Sequence, residues 1–150
     1  MRARHGDAGE QGQSMVEFAL ALPIMLIIVT GICAFGITIS HYMILTDATN
    51  VGGRQLAIIR GSVTDACSTV SQTIAQSAST LTAGSLTYKF VLNGNTTSGA
   101  KPSCVSDTSD LLPGQTVQVT VTYSACSLAF FGTNYSPSCT IQAQATELEQ

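Results

Sequence analysis

The sequence has little charge and few aromatic residues. Of its 150 residues, 10% are charged, 6% are aromatic and none is Trp. Soluble domains carry about 25% charged residues, so this composition argues against a cytosolic enzyme. The net charge of −3 does not provide the basic surface of a nucleic-acid-binding protein. We therefore expect no nucleic-acid partner.

Histidine is also scarce, with only His5 and His41 in the chain. Neither lies in the C-terminal hundred residues, so no His-based triad or metal cluster can form there. His41 is interpreted as an interfacial residue beside Tyr42. The acidic residues of the C-terminal region are scattered, and we interpret them as solvated groups: Asp65, Asp107, Asp110, Glu147 and Glu149. We predict no enzymatic activity, no catalytic residue, no metal, no cofactor and no small-molecule substrate.

Hydrophobic residues make up 45% of the chain and concentrate in one run. No charged residue occurs from Phe18 to Thr46. About 20 apolar residues at a rise of about 1.5 Å cross a hydrocarbon core. We therefore predict a transmembrane helix over residues 18–40. The alternative, a buried core helix, rarely stays apolar on every face for six turns.

The charges flanking this run predict its orientation. Arg2 and Arg4 precede it, whereas residues 41–46 contain no Lys or Arg. The positive-inside rule then places the N-terminus in the cytoplasm and the C-terminal part outside. The run is too long for a cleavable secretory signal and lacks a small-residue cleavage site at its end. Any cleavage should therefore occur before the helix.

The exported part shows two kinds of periodicity. Helical spacing continues to about residue 60, with a kink or break expected at Gly52–Gly53, and returns as an amphipathic helix over Ser62–Leu81. Alternation then predicts three antiparallel strands, with residues 93–114 as a loop. The strands fall in 85–94, 115–124 and 139–148. The predicted fold is α+β, with an N-terminal helix over 13–60 and a head over 61–150.

Cysteine usage fits export. Cys33 lies in the apolar run, and the other four form an even set in the head: Cys67, Cys104, Cys126 and Cys139. Because no CxxC pair occurs, two disulfides are a better interpretation than a zinc site. Three pairings remain open. We favour Cys126 with Cys139, which flank the connection between the last two strands, and hence Cys67 with Cys104.

The segment before the apolar run, GEQGQSMVEFALALP, places Glu17 five residues after Gly12. This arrangement resembles the type IV pilin processing signal. The resemblance implies that a prepilin peptidase removes residues 1–12 and leaves Gln13 as the new N-terminus. It also implies that Glu17 pairs with the N-terminal amine of a neighbouring subunit. The alternative is that Glu17 marks only the headgroup region, where its charge suits the helix dipole.

The apolar run also contains features of helix packing. Pro23 removes one backbone hydrogen bond and is expected to bend the helix. Thr30, Ala34 and Thr38 form a small-residue stripe that allows close helix approach. Such stripes also arise by chance in sequences rich in Ala and Gly. Cys33 is interpreted as an inert small hydrophobe.

The whole chain resembles the TadE-like family, minor pilins or pseudopilins of the bacterial tight-adherence (Flp) pilus. The resemblance rests on QSMVEFALALPIMLIIVTGICAFGITI, on the following LTDATNVGGRQLA and on the late strands PGQTVQVTVTYS and TIQAQATEL. It implies a pilin-like, single-pass inner-membrane subunit needed for assembly. The implied partners are the membrane, a prepilin peptidase, other pilin subunits and the Tad assembly platform. The alternative is an uncleaved bitopic envelope protein with a small binding head.

Overall fold

The computed structural model describes residues 8–59, 62–104, 114–126, 129–130, 133–134 and 139–149. Side chains are described from Gly12 onward, except in the short strands at 129–130 and 133–134. Among the predicted features, the first seven leader residues, Asp107 and Asp110 lie outside these ranges. The described residues form an α+β fold, as predicted.

The N-terminal helix, α1, is one element of 51 residues, Ala8–Ile58. It continues without a break through Gly52 and Gly53, so the expected break there is wrong. Both glycines are buried. A Cβ at Gly52 would lie 2.5 Å from Ile74 Cδ1, and one at Gly53 would lie 3.0 Å from Ala145 Cβ. The glycines therefore let a second helix and the sheet approach α1 closely, and this packing offsets their low helix propensity.

The second helix, α2, spans Ala66–Ser77, so the predicted range of Ser62–Leu81 is too long at both ends. Asp65 has an extended backbone and caps the helix N-terminus, accepting a hydrogen bond from the Ser68 backbone N–H. The helix is amphipathic, as predicted, and it buries five residues: Ala66, Cys67, Val70, Ser71 and Ile74. A short 3-10 turn, Ala83–Ser85, leads to the sheet.

The main sheet has four antiparallel strands where three were predicted. Among the described residues, six strands form two sheets: β1 Leu86–Leu92, β2 Asn95–Gly99, β3 Thr116–Tyr123, β4 Ala129–Phe130, β5 Thr133–Asn134 and β6 Ile141–Leu148. The main sheet has the order β2-β1-β3-β6, and β4 pairs with β5. Interpreting all of 93–114 as a loop is wrong, because β2 lies within it. Asn93 and Gly94, at φ of 46° and 86°, form the tight turn that returns β2 along β1.

The core lies between one face of the sheet and the two helices. Alternate residues of β1 and β3 are buried there, whereas the opposite face carries mainly Thr and Gln. The largest fully buried side chains include Leu45 and Leu56 of α1, Ile74 of α2 and Phe90 of β1. The C-terminal part of α1 is therefore a core element of the head.

Strand β6 runs along α1, away from the apolar run. The ring centroids of His41 and Tyr123 are 5.8 Å apart in an edge-to-face arrangement. Tyr123 pairs with Ile141, the first residue of β6. Four residues farther along β6, Ala145 packs beside Gly53. The connection from β3 to β6 therefore begins and ends at the edge of the head nearest the apolar run.

Candidate functional site

The segment from Gly12 to Glu17 lies within α1 and is exposed. Gln13 Nε2 donates a hydrogen bond to Glu17 Oε1 at 3.5 Å, one helical turn away. A Cβ at Gly12 would meet no other heavy atom within 4 Å. The structure thus presents the predicted cleavage position and the predicted pairing carboxylate on an accessible helix end.

The apolar part of α1 as far as Val29 is uncovered by the rest of the described chain. Every residue from Gly12 to Val29 is exposed, including Phe18 at 66% and Leu20 at 71%. The helix from Gly12 to Ile58 contains a window with a mean hydropathy of 2.6, none of it buried. Large apolar side chains in water are unfavourable at this density, so a membrane or other helices must cover them.

The predicted small-residue stripe is less exposed than most of the apolar segment around it. Thr30, Ala34 and Thr38 are half-buried, whereas most of their neighbours are exposed. The Thr30 hydroxyl donates to the Leu26 carbonyl at 2.6 Å, and the Thr38 hydroxyl donates to the Ala34 carbonyl at 3.1 Å. Both hydroxyls are therefore satisfied within the helix. Pro23 and Cys33 are exposed on the same helix, and Cys33 is a free cysteine.

Asp65 organises the start of α2, and its interpretation as a solvated group is wrong. Its Oδ1 accepts hydrogen bonds from the backbone N–H of Ser68 at 2.9 Å and of Cys104 at 3.2 Å. Its Oδ2 accepts one from the Ser103 hydroxyl at 2.6 Å. Burial alone raises the pKa of this carboxyl, but the hydrogen bonds from Ser103, Ser68 and Cys104 outweigh it and lower the pKa.

The Asp65 cluster was missed although the sequence carried a signal for it. An Asp directly before an apolar periodic run is a helix N-cap pattern. The interpretation as solvated is also wrong for Glu149, which is only 3% exposed, whereas Glu147 is half-buried beside Gly53. Alternation along β6 places Glu147 on the same face as the buried Ile141, Ala143 and Ala145, whereas Glu149 follows the end of the strand.

Two disulfides brace the head. Cys67 of α2 is bonded to Cys104, which follows β2, and Cys126 is bonded to Cys139 across the connection from β3 to β6. These are the pairs favoured above. The first joins the helix layer to the segment that Asp65 also holds. The second closes the connection at the edge of the head nearest the apolar run.

A cavity of about 580 Å³ lies between α2, the start of β1 and residues 100–103. Asp65 and Ser103 line it, but both are already bonded to each other. Within the described ranges, no group of three or more His, Cys, Asp or Glu residues lies close enough to hold a metal ion. The most distinctive surface of the described residues is therefore the exposed helix and its junction at Gly12–Glu17.

A long apolar helix joined to a small disulfide-braced α+β head fits a single-pass membrane protein. Residues 12–54 match the model of the family described as TadE-like protein. This match confirms the resemblance over the junction, the apolar run and most of α1, and indicates a protein related to the tight-adherence pilus. It begins at Gly12 and ends before α2, so the head lies outside it. Neither the curated proteins nor the solved structures contain a match to the chain.

Proposed function

We propose that this chain is a minor pilin of a tight-adherence pilus, cut after Gly12 and assembled through Glu17. The observation that carries the proposal is the exposed Glu17 carboxylate at the start of an exposed apolar helix. This carboxylate lies one turn after Gln13, in a matched segment that begins at Gly12. A structural subunit uses such a helix as both membrane anchor and packing surface, and no catalytic group is needed.

Processing requires hydrolysis of the peptide bond between Gly12 and Gln13. Both residues are helical in the uncut chain, so a peptidase must unwind the first turns of α1 to reach this bond. Glycine favours unwinding, because it costs a helix about 1 kcal/mol relative to alanine. It also carries no side chain that obstructs a peptidase. Gly12 therefore lowers the cost of opening the helix at the cleavage position.

Cleavage then produces a new pair of charges. The freed amine of Gln13 is positive, and Glu17 lies about 6 Å farther along the helix axis at the usual helical rise. A charged carboxylate costs about 3 kcal/mol near the centre of a membrane helix, so pairing with an amine lowers the cost of drawing it inward. A neighbouring subunit shifted along the axis supplies that amine. Glu17 therefore sets the axial register between helices.

The proposed topology follows from the charges at the two ends of the apolar run. Arg2 and Arg4 hold the N-terminus in the cytoplasm, and the disulfide-bonded head lies outside the bacterial inner membrane. The direct partners are a prepilin peptidase, other pilin or pseudopilin subunits and the Tad assembly platform. Neighbouring helices are expected to use the segment from Gly12 to Val29, since the head leaves all of it exposed.

The test is N-terminal sequencing of the membrane-bound form in cells that carry the pilus machinery. The wild-type chain should begin at Gln13, and the Gly12→Ala variant should keep its leader. Gly36→Ala is a matched control, because a Cβ at Gly36 or at Gly12 meets nothing within 4 Å. Gly36→Ala should be processed normally, so a defect in Gly12→Ala cannot be assigned to folding.

A second pair of variants separates assembly from processing. Glu17→Ala should insert and be processed but fail to enter pili, whereas Glu17→Asp should retain part of the assembly. If the wild-type chain keeps its leader in piliated cells, the alternative of an uncleaved bitopic protein with a binding head is the correct one. Normal pilus incorporation of Glu17→Ala would instead overturn the role of the carboxylate alone.

A further inference from the structure

The part of α1 that belongs to the head keeps one face exposed. Between residues 43 and 58 the exposed side chains are Met43, Asp47, Asn50, Val51, Arg54 and Ile58. At about 3.6 residues per turn, all six fall within about 100° of the helix circumference. They lie on the side of α1 opposite the fully buried Leu45 and Leu56. These six residues form one continuous surface, here called the outer stripe.

Apolar side chains give the outer stripe a hydrophobic surface. Met43 is 65% exposed, Val51 40% and Ile58 69%. The stripe begins after the predicted span, residues 18–40, so lipid does not cover it. Its members recur at three- and four-residue spacing along a straight helix. A second helix is the element whose shape fits such a surface.

The outer stripe also carries the only charged residues of α1 after Glu17, namely Asp47 and Arg54. They are seven residues apart, which is close to two turns, so they lie nearly on one line and about 10 Å apart along the axis. That separation is too long for an ion pair within one helix. Glu147 packs beside Gly53, yet it forms no ion pair with Arg54. Within the described residues, both charges therefore lack a partner of opposite sign.

Membrane anchoring makes the two charges complementary between copies of the chain. Anchored neighbours run parallel, because they share one topology. Without an axial shift, Asp47 faces Asp47 and Arg54 faces Arg54. A shift of about 10 Å, or seven residues, instead places Asp47 of the displaced copy level with Arg54 of the other. The same shift places Val51 level with Ile58, so apolar side chains also meet.

The direction of this shift agrees with the pairing proposed for Glu17. There the Gln13 amine of one copy pairs with Glu17 of the other, which lies about 6 Å farther along the axis. The copy displaced toward the head provides the amine in that pair and Asp47 in the pair at the outer stripe. Arginine and glutamate side chains reach several ångströms, so a displacement of about 6 to 10 Å brings both pairs into contact.

We propose that the outer stripe of α1 binds the outer stripe of a second copy of this chain, displaced by about two helical turns toward the head. The Asp47–Arg54 pair selects this register, because it replaces like-charge contacts with an opposite-charge contact. Met43, Val51 and Ile58 supply the apolar contact area. The inference rests on the proposed function for the parallel, staggered arrangement of subunits, and it extends their contact from the membrane into the head.

Disulfide trapping in membranes of cells that carry the pilus machinery tests this register. Every chain carries Cys33→Ala, which removes the cysteine outside the two disulfides. One copy carries Met43→Cys and the other Asn50→Cys, so both charges stay in place. After mild oxidation, mass spectrometry of the linked peptides measures the mixed dimer and the two symmetric dimers. Random collision would make the mixed dimer equal to the sum of the symmetric ones.

The mixed dimer should exceed that sum by about threefold, which is within the range that an exposed ion pair supports. Asp47→Arg in both copies should abolish the excess, because Arg then faces Arg in the shifted register. Adding Arg54→Asp restores opposite charges and should recover the excess. Lys89→Glu is the matched control, since Lys89 is exposed on the sheet face that points away from the helices. It should leave the excess unchanged.

The outcomes separate this contact from the proposed function. Symmetric dimers that equal the mixed one, or no dimer at all in chains with both native disulfides, overturn the second copy as the occupant. If those membranes contain chains that begin at Gln13 and enter pili, the proposed function stands without this contact. An excess that Asp47→Arg leaves unchanged overturns the role of the charges. An excess in chains that keep Met1 supports the contact and overturns the proposed processing.

Discussion

Replacing Gly52 with alanine should destabilise the head, although the same change at an exposed helical site stabilises a protein. Gly52 lies inside α1 where α2 crosses it. A Cβ there would be 2.5 Å from Ile74 Cδ1 and 3.3 Å from Val70 Cγ1. Favourable carbon contacts occur at about 3.5–4.0 Å, so the overlap with Ile74 is about 1 Å or more.

The overlap cannot be relieved cheaply. Ile74 and Val70 are 0% exposed, so α2 must move as a unit or Ile74 must leave its rotamer. Overpacking of this kind costs about 1–3 kcal/mol, and we take the upper half because the contact is severe. The gain in helix propensity on replacing glycine offsets about 1 kcal/mol. We expect a net loss of about 1–2 kcal/mol in the free energy of unfolding.

The assay is urea unfolding of the full-length chain in detergent micelles, followed by tyrosine fluorescence. Gly53→Ala is the matched control on the next residue, where the nearest atom, Ala145 Cβ, is 3.0 Å away and the loss should be smaller. In the double variant Gly52→Ala with Ile74→Ala, the new methyl group occupies space left by Ile74. The combined loss should be smaller than the sum of the single losses by about 1 kcal/mol or more. Strict additivity, or a stabilised Gly52→Ala, would refute the packing argument.

Three further predictions concern the head. Asp65→Asn should cost about 1 kcal/mol at neutral pH by weakening the cap and the Ser103 contact. Folding lowers the pKa of Asp65 below 3.8. The extra stability of the wild-type protein over Asp65→Asn should therefore be complete at neutral pH and shrink as the pH falls through the pKa of the folded state. Urea unfolding of both proteins at neutral and at acidic pH measures this difference. An undiminished advantage at about pH 2 would contradict this assignment. Removing the Cys67–Cys104 disulfide, which spans 37 residues, should cost about 4 kcal/mol, whereas removing Cys126–Cys139, which spans 13, should cost about 3 kcal/mol. Equilibrium unfolding of the two double-serine variants measures both losses, and an equal or reversed order would show that loop closure is not the dominant effect. Gly94→Ala should cost about 1–2 kcal/mol because of the φ of 86°, and Asn93→Gly, with φ of 46°, should be nearly neutral in the same assay.

The long helix and three of the strands were predictable because their signals are local. An uncharged apolar run of 29 residues, 18–46, predicts a helix that is buried in a membrane or in a core. The alternation in β1, β3 and β6 follows directly from burial of one face of the sheet. Strand β2 was not predictable in this way. It is an edge strand with no fully buried side chain, so its residues, NTTSG, have no alternation to reveal it.

The errors at Gly52–Gly53 and Asp65 have one physical cause. Local propensity interprets a glycine pair as a helix break and an isolated Asp as a solvated group, because both rules describe a chain without neighbours. Here Ile74 and Ala145 occupy the space that side chains at Gly52 and Gly53 would need, and Ser103 and Cys104, nearly forty residues away, donate to Asp65. Contacts between residues distant in the sequence therefore keep the helix intact at Gly52–Gly53 and hold Asp65 in hydrogen bonds. A single sequence does not show which distant residues meet, so neither result could be predicted from it.

The continuity of α1 has a mechanical consequence for a subunit of this kind. Its exposed part, from Gly12 to Val29, and its core part, with Leu45 and Leu56 fully buried, belong to one helix that is unbroken at Gly52–Gly53. A rotation of the helix among its neighbours must therefore turn the head by the same angle, because no loop separates the two. In the assembly proposed above, a rotation imposed by neighbouring helices at Glu17 would therefore determine which direction the polar Thr- and Gln-rich face of the sheet points.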